Sequence, residues 1–209
     1  MKVLGLLCPA LELGQLTSSP RVSYNSSLAV APFDMREVKW YNQSDFEILR
    51  YLDEGRFSTV FSAESSKSTE RVVLKVLHPT YHGKIKREIR MLHACRDFKY
   101  VVQLLGVIKC RGLRTVALVL ESLGDEVQYL GHQGKSLDGE EIKYYMRCLL
   151  TGLKECHQAG IMHRDIKNRN IMVNKVTKQL RIIDLGLSEV YMPNKQYNPS
   201  VCSKSYKGN

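Results

Sequence analysis

The side chains best suited to catalysis lie in two short stretches of the chain. His163-Arg164-Asp165 is followed by Lys167 and Asn170, which gives the pattern H-R-D-x-K-x-x-N. Asp184 opens the second stretch, D-L-G, nineteen positions beyond Asp165. Phosphoryl transfer needs one carboxylate at the attacking hydroxyl and another on Mg²⁺, with an amide completing the metal site. The pattern therefore predicts a phosphoryl-transfer site, with Asp165 at the hydroxyl and with Asp184 and Asn170 on the metal.

Two further charged residues, Lys75 and Glu88, lie in segments of different periodicity. Lys75 stands among β-branched and aliphatic residues in 71–77, which predicts a strand. Glu88 lies in 84–92, where apolar residues recur at helical spacing. A buried lysine is costly unless it is paired. We therefore expect an ion pair between Lys75 and Glu88, although either residue alone would be interpreted as an ordinary surface charge.

The elements that position these residues are predicted to be short strands and one long helix. The helix begins after Asp138, a typical N-cap, and ends at Gly160, so that it delivers the chain to the first catalytic stretch. Strands are predicted at 50–52, 59–63, 101–108 and 115–120, and a second small hairpin at 171–173 and 180–183.

The composition is typical of a globular protein with reduced cysteines. The 209 residues are 44% hydrophobic and 25% charged, enough to bury a core in one unit or two lobes. The six cysteines include no C-x-x-C pair and no regular spacing, so buried thiols are predicted rather than zinc ligands or disulfides. No apolar run reaches the length needed to span a bilayer.

The formal net charge of +10 favours a negatively charged partner. An acidic protein, the phosphates of a nucleotide and nucleic acid are the alternatives, besides a basic surface that is simply solvated. The sequence has no nucleic-acid-binding module and no basic residues interleaved with aromatics. It therefore predicts partners other than nucleic acid, and the lack of an apolar span also argues against a membrane.

Taken in order, five features resemble the signature set of the eukaryotic protein kinases. They are Gly55, Lys75, Glu88, the stretch 161–170 and D-L-G at Asp184. The resemblance implies an α+β, protein-kinase-like two-lobe fold. It predicts a mobile N-terminal arm over 1–35, a small lobe over 36–120 with a five-stranded antiparallel sheet and one helix, a hinge over 121–124, and an incomplete, mainly helical large lobe over 125–209 that ends in the activation segment.

The same resemblance assigns roles to individual residues. Asp165 is the catalytic base, Lys167 stabilises the transferred phosphoryl group, and Asn170 and Asp184 hold Mg²⁺. The residues assigned to ATP are Leu52, Gly55, Val60, Val73, Lys75, Glu88, Leu120, Glu121, Leu123, Met172 and Ile183. The turn over 53–58 occupies the position of the glycine-rich loop, but only its middle glycine is present, because Asp53 and Ser58 replace the outer two. Asp53 also brings a negative charge near the phosphates.

Within the kinases, residues 38–208 most resemble the catalytic subunit of casein kinase 2. The shared runs are W-Y-N-Q at 40–43, K-I-K-R-E-I at 84–89, G-I-M-H-R-D at 160–165 and Y-K-G at 206–208. That kinase prefers acidic residues around the target hydroxyl. Its lysine run and one activation-segment arginine are replaced by Tyr81, His82, Gly83 and Ser200, while Lys84, Lys204 and Lys207 remain basic. The resemblance therefore implies a weakened preference for acidic substrates.

The end of the chain is the largest departure from this family. The sequence stops at Asn209, where the family continues through several helices of the large lobe. Apolar surface would then face water, which predicts marginal stability or association. The segment 28–34 also lacks the residues that brace the activation segment in that family, so constitutive activity is not implied.

Two functions follow from these observations. The first is a casein kinase 2-like Ser/Thr protein kinase that uses ATP and Mg²⁺ and acts on acidic protein substrates. The second is a catalytically inactive kinase-like protein that binds a nucleotide or a protein partner, which the shortened large lobe favours. The family resemblance further implies a regulatory subunit as partner and a location in the cytoplasm, the nucleus or both.

Overall fold

The computed structural model describes residues 33–79, 82–109, 115–125, 127–130 and 137–198, together with Val201 and Tyr206. Expectations for Tyr81, Ser200, Lys204 and Lys207 lie outside these residues, as do those for residues 1–32 of the predicted arm. Phe33 and Met35, near the end of that arm, pack against the core.

The small-lobe sheet contains six strands in the part of the chain described. They are β1 (Trp40–Tyr41), β2 (Phe46–Glu54), β3 (Ser58–Ser65), β4 (Arg71–Leu77), β5 (Leu104–Lys109) and β6 (Val116–Glu121). Their spatial order is β1-β5-β6-β4-β3-β2. The pairs among β2 to β6 are antiparallel, as predicted, but β1 pairs in parallel with β5, so the sheet is six-stranded and mixed. The prediction of five strands was incomplete because a two-residue strand has no period to detect.

Two strand boundaries differ from the predicted ones for physical reasons. β2 begins at Phe46 rather than at residue 50, and most of its side chains are exposed at the sheet edge, so its alternation is weak. The strand predicted over 101–108 divides in two. Val102 N–H donates to Ile182 O at 3.0 Å, and Ile182 N–H donates to Tyr100 O at 2.7 Å. Residues 101–102 therefore join the large lobe, and β5 starts only at Leu104.

Both predicted helices are present, and the first is slightly longer than the predicted 84–92, while the second ends two residues before Gly160. Helix α1 (His82–Ala94) buries Ile85, Ile89 and Leu92 in the core beneath the sheet. Helix α2 (Gly139–Gln158) begins at Asp138, whose Oδ1 accepts from Glu141 N–H at 2.8 Å. Gly160 follows its C-terminal end with φ +74°, a conformation in which a glycine carries no steric cost.

The large lobe adds short strands that hold the catalytic stretches together. They are β7 (Val127–Tyr129), β8 (Ile161–Met162), β9 (Ile171–Asn174), β10 (Gln179–Ile182) and β11 (Glu189–Val190). β9 and β10 form the predicted hairpin, and β7 adds to its other edge. β8 pairs with β11. The hairpin packs against α2 through a second core that includes Tyr145 and Leu149.

Three of the six cysteines lie in the part of the chain that the structure describes. Cys95, Cys148 and Cys156 are buried free thiols. In the part of the chain that the structure describes, no helix is long and apolar enough to cross a lipid bilayer.

Candidate active site

Lys75 is the centre of one charged network. It lies on the central strand β4, and its Nζ donates to Glu88 Oε1 at 2.8 Å and to Asp184 Oδ1 at 2.7 Å. The Lys75 side chain is only 12% exposed. The predicted ion pair with Glu88 is therefore present, and it extends to the aspartate of D-L-G.

The charges of this network stabilise one another. Burial acts to lower the pKa of Lys75, but Glu88 and Asp184 outweigh it, so the pKa lies above its ordinary value. Burial acts to raise the pKa of Asp184, but the charge of Lys75 outweighs it and holds that pKa below its ordinary value. The Lys75 ammonium and the Asp184 carboxylate therefore both remain charged near neutral pH.

Gly186 allows Glu88 and Asp184 to approach the same backbone. A Cβ at this position would lie 3.2 Å from Asp184 Oδ1 and 3.3 Å from Glu88 Oε2. Such contacts are tighter than ordinary van der Waals contact, so a side chain would push at least one carboxylate aside. The glycine of D-L-G thus leaves room for both carboxylates that contact Lys75.

Asp165 is the centre of a second network, on the floor of the cleft. Lys167 Nζ donates to Asp165 Oδ2 at 2.7 Å, and Asn170 Nδ2 donates to the same oxygen at 2.9 Å. Asn170 Nδ2 also donates to Asp165 O at 2.7 Å. Asp165 and Asn170 are both buried. The loop thus holds the carboxylate in one orientation, as a positioned base requires.

His163 connects the two networks through the backbone. Its Nδ1 accepts from Asp165 N–H at 3.3 Å, so Nε2 carries the proton and donates to Ile183 O at 3.0 Å. Burial lowers the pKa of His163. The ring is therefore a neutral structural bridge between the loop of Asp165 and the residue before Asp184.

Both stretches contain backbone conformations that are unfavourable for their residues. Arg164 has φ +65° and Asp184 has φ +63°. A non-glycine residue in this region costs about 1–3 kcal/mol and persists only where its surroundings enforce it. Arg164 is held by bonds from Nε to Leu187 O at 2.8 Å and from Nη2 to Glu189 Oε2 at 3.1 Å.

Glu189 is a structural residue that the sequence analysis missed. Besides Arg164, its carboxylate lies 3.6 Å from Arg87 Nη1 on α1 and 3.2 Å from Lys195 Nζ. It therefore joins the small-lobe helix, the H-R-D loop and the segment after D-L-G. Arg87 and Arg164 are distant from Glu189 in sequence, so no local pattern indicated this role.

The two networks face one cavity of about 510 Å³. It is lined by Gly55, Lys75, Glu88, Asp165, Lys167 and Asp184, among other residues. The structure thus brings together the residues predicted at the phosphate end of the cleft and the two predicted catalytic residues.

The other residues assigned to ATP do not line that cavity; they are Leu52, Val60, Val73, Leu120, Glu121, Leu123, Met172 and Ile183. Val60, Val73 and Leu120 share the face of the sheet that carries Lys75, because Val60 pairs with Lys75 and Val73 pairs with Leu120. Met172 lies on β9 below them in the other lobe, and Ile183 follows β10. Leu52 is 39% exposed and sits at a register irregularity of β2.

The side chain of Glu121 is engaged between the lobes. Arg181 donates to its two carboxylate oxygens at 2.8 and 3.1 Å, and Gln103 N–H donates to Oε1 at 2.9 Å. Leu123 O accepts from Asn174 Nδ2 at 2.7 Å. Glu121 can therefore contact the adenine of ATP only through its backbone groups.

Asp184, which contacts Lys75, and Asn170, which contacts Asp165, carry oxygen donors of the kind that Mg²⁺ prefers. Mg²⁺ is usually held by one or two carboxylates together with the phosphates of a substrate. Asp184 supplies a carboxylate, and Asn170 supplies its amide oxygen because its Nδ2 already donates to Asp165. No separate group of three or more His, Cys, Asp or Glu side chains suited to a metal occurs among the residues described.

Lys75 on a strand pairs with Glu88 on a helix and with Asp184 of D-L-G, above the H-R-D loop that carries Asp165. This arrangement defines a phosphotransferase cleft between two lobes. The family model for the protein kinase domain matches residues 46–209, from the start of β2 onward. The chain belongs to the protein kinase domain family. Kinase domains generally use ATP with Mg²⁺ and act on proteins.

Proposed function

We propose that this chain is a casein kinase 2-like Ser/Thr protein kinase that transfers the γ-phosphoryl group of ATP to a protein hydroxyl. One observation supports this proposal most. The Asp165 network and the Lys75 network line the same cavity, so a positioned base and a phosphate-binding lysine face one reacting centre.

Each network has its own task. Bound Mg-ATP supplies the activated phosphoryl group. Lys75 neutralises the α- and β-phosphates, and Asp184 and Asn170 hold the metal. Asp165 Oδ2 is occupied by Lys167 and Asn170, so we assign Oδ1 to the substrate hydroxyl. Asp165 accepts the hydroxyl proton as the new O–P bond forms and the bond to ADP breaks, and Lys167 stabilises the charge on the transferred group.

The basic rim of the cavity supports a preference for acidic substrates. Arg56, Lys84 and Arg87 line it together with Lys75 and Lys167. Buried Arg87 Nε has no hydrogen-bond partner among the residues that the structure describes. A peptide carboxylate beside the target hydroxyl would meet these cations, and complementary charge favours its association.

Peptide phosphorylation tests the reaction and its specificity. The purified chain is incubated with Mg-ATP and three peptides: a serine with Asp and Glu flanks, the same peptide with Asn and Gln flanks, and the acidic peptide with tyrosine as target. We expect the acidic serine peptide to be phosphorylated fastest. No phosphoryl transfer by a chain that binds Mg-ATP would instead indicate the inactive nucleotide-binding alternative.

Two neighbouring lysines provide a matched test of the rim. Lys84 lines the cavity, whereas Lys86 is exposed on the same helix and does not line it. Lys84→Gln should lower the ratio between the turnover of the acidic serine peptide and that of the neutral serine peptide. Lys86→Gln should leave this ratio unchanged. Equal ratios in wild type and Lys84→Gln would contradict the assignment of the rim to substrate recognition.

A further inference from the structure

Asp53 and Tyr129 form a hydrogen bond between the two lobes. Tyr129 O–H donates to Asp53 Oδ2 at 2.8 Å, while Asp53 Oδ1 accepts from Glu54 N–H at 2.9 Å. Asp53 lies near the end of β2 in the small lobe, and Tyr129 ends β7 in the large lobe. This bond therefore spans the cleft at its edge.

The strand registers relate this bond to residues assigned to ATP on both sides of the cleft. Asp53 is opposite Val60, which is opposite Lys75, so these three side chains share the cleft face of the sheet. On the floor, Tyr129 is opposite Met172. The phosphate end is marked by Lys75 and Asp184, and the base end by the hinge. In ATP the ribose is the group that joins base to phosphates.

The chemistry of the bond matches a sugar hydroxyl. Burial first, and then the bond to Asp53, raises the pKa of Tyr129 to about 12, so the phenol remains a donor at neutral pH. A ribose hydroxyl is a donor of the same kind. Carboxylates at nucleotide sites of other folds commonly accept from ribose hydroxyls.

We infer that Asp53 is a specificity-determining residue that recognises the ribose hydroxyls of the nucleotide, which displace the hydroxyl of Tyr129 when they bind. The inference rests on the proposed kinase function. It assigns a function to the Asp53 carboxylate, which replaces a glycine of the loop and would otherwise only repel the phosphates. It also predicts that Tyr129 competes with the sugar for Asp53 in the free protein.

Two nucleotides and four proteins test this inference. ATP and 2′,3′-dideoxy-ATP share base and triphosphate and differ only in the sugar hydroxyls. Their dissociation constants are measured with Mg²⁺ for wild type, Asp53→Ala, Tyr129→Phe and Glu54→Gln. Glu54→Gln is the matched control because it also removes one negative charge. Glu54 is the next residue along β2, so its side chain points to the opposite face of the strand.

Wild type and Glu54→Gln should bind ATP at least about tenfold more tightly than the dideoxy nucleotide, since hydrogen bonds to a charged group are strong. Asp53→Ala should reduce this ratio to below about threefold. Tyr129→Phe should keep the ratio and bind ATP about two- to tenfold more tightly, because Asp53 no longer has to exchange a partner.

The outcomes separate this inference from the proposed function. If wild type binds ATP and Asp53→Ala keeps the wild-type ratio, the ribose role is wrong while the kinase proposal stands. If wild type binds neither nucleotide, the proposed function fails and the ribose role fails with it. Should Asp53→Ala not fold, Asp53→Asn retains the volume and must still reduce the ratio, because its amide is a weaker acceptor than a carboxylate.

Discussion

The large-lobe side of the cleft, its floor, and the small-lobe side, its roof, differ in how firmly their side chains are held. On the floor, Asp165, Asn170 and His163 are buried, and each is fixed by hydrogen bonds. On the roof, the turn after β2 is closed by Gly55 N–H donating to Ser58 O at 2.8 Å, while Phe57 is 53% exposed. The roles proposed for the floor, proton acceptance and metal binding, depend largely on side chains, whereas the roof can bind phosphates through backbone N–H groups.

This difference explains where the sequence departs from kinase patterns. A backbone N–H is available from almost any residue, so Asp53 and Ser58 can stand where the family has glycines. A proton acceptor or metal ligand must be a particular side chain, and the H-R-D and D-L-G stretches keep theirs.

The largest effect is expected from Asp165→Asn on the floor. Loss of a positioned base costs about two to four orders of magnitude in rate. In the proposed function Lys75 holds the nucleotide and Asp184 and Asn170 hold the metal, so ATP affinity should remain nearly unchanged. Turnover of the acidic serine peptide and calorimetric ATP affinity measure the two effects. A variant with wild-type turnover would show that Asp165 is not the base.

The two loop glycines should respond differently to alanine. Gly186→Ala places Cβ within 3.4 Å of two carboxylates and should lower the free energy of unfolding by about 1–3 kcal/mol. In Gly55→Ala the nearest atom to the added Cβ is Ser58 O at 3.8 Å. This substitution should change the free energy of unfolding by less than about 0.5 kcal/mol. Denaturant unfolding compares them. Equal losses would mean that roof and floor are equally constrained.

A smaller effect is expected from His163 as the pH falls. Its pKa is lowered by folding, so the unfolded chain binds more protons once the pH drops through the ordinary value near 6.5. Stability should therefore fall with decreasing pH in that range, by at most about 1.4 kcal/mol per pH unit. His163→Gln should reduce the slope, and exposed His157→Gln should not. Identical slopes in wild type and His163→Gln would contradict a buried neutral ring.

The sequence predicted those elements whose signal is local. α2 could be placed because Asp138 and Gly160 mark its ends, and the Lys75–Glu88 pair because a lysine in an apolar strand needs a partner. β1, β7, β8 and β11 have two or three residues each, too few for a period, and their pairing comes from distant segments.

The site was predictable at the level of residues and less so at the level of contacts. The H-R-D and D-L-G patterns indicated the charged residues that meet in the cavity. The roles of Glu189 and of the Asp53–Tyr129 bond depend on segments brought together only by the fold. The division of the strand predicted over 101–108 has the same origin, because its first residues bond to β10 of the other lobe.

The central claim is that Lys75, Asp184 and Asn170 form one site for ATP and Mg²⁺. Isothermal titration calorimetry of the chain with ATP, with and without Mg²⁺, tests it most directly, after a cooperative melt has established folding. We expect binding that Mg²⁺ strengthens in wild type, and loss of that Mg²⁺ dependence in Asp184→Asn. A folded wild-type chain that binds no ATP in the presence of Mg²⁺, or an Asp184→Asn variant with undiminished Mg²⁺ dependence, would contradict the claim.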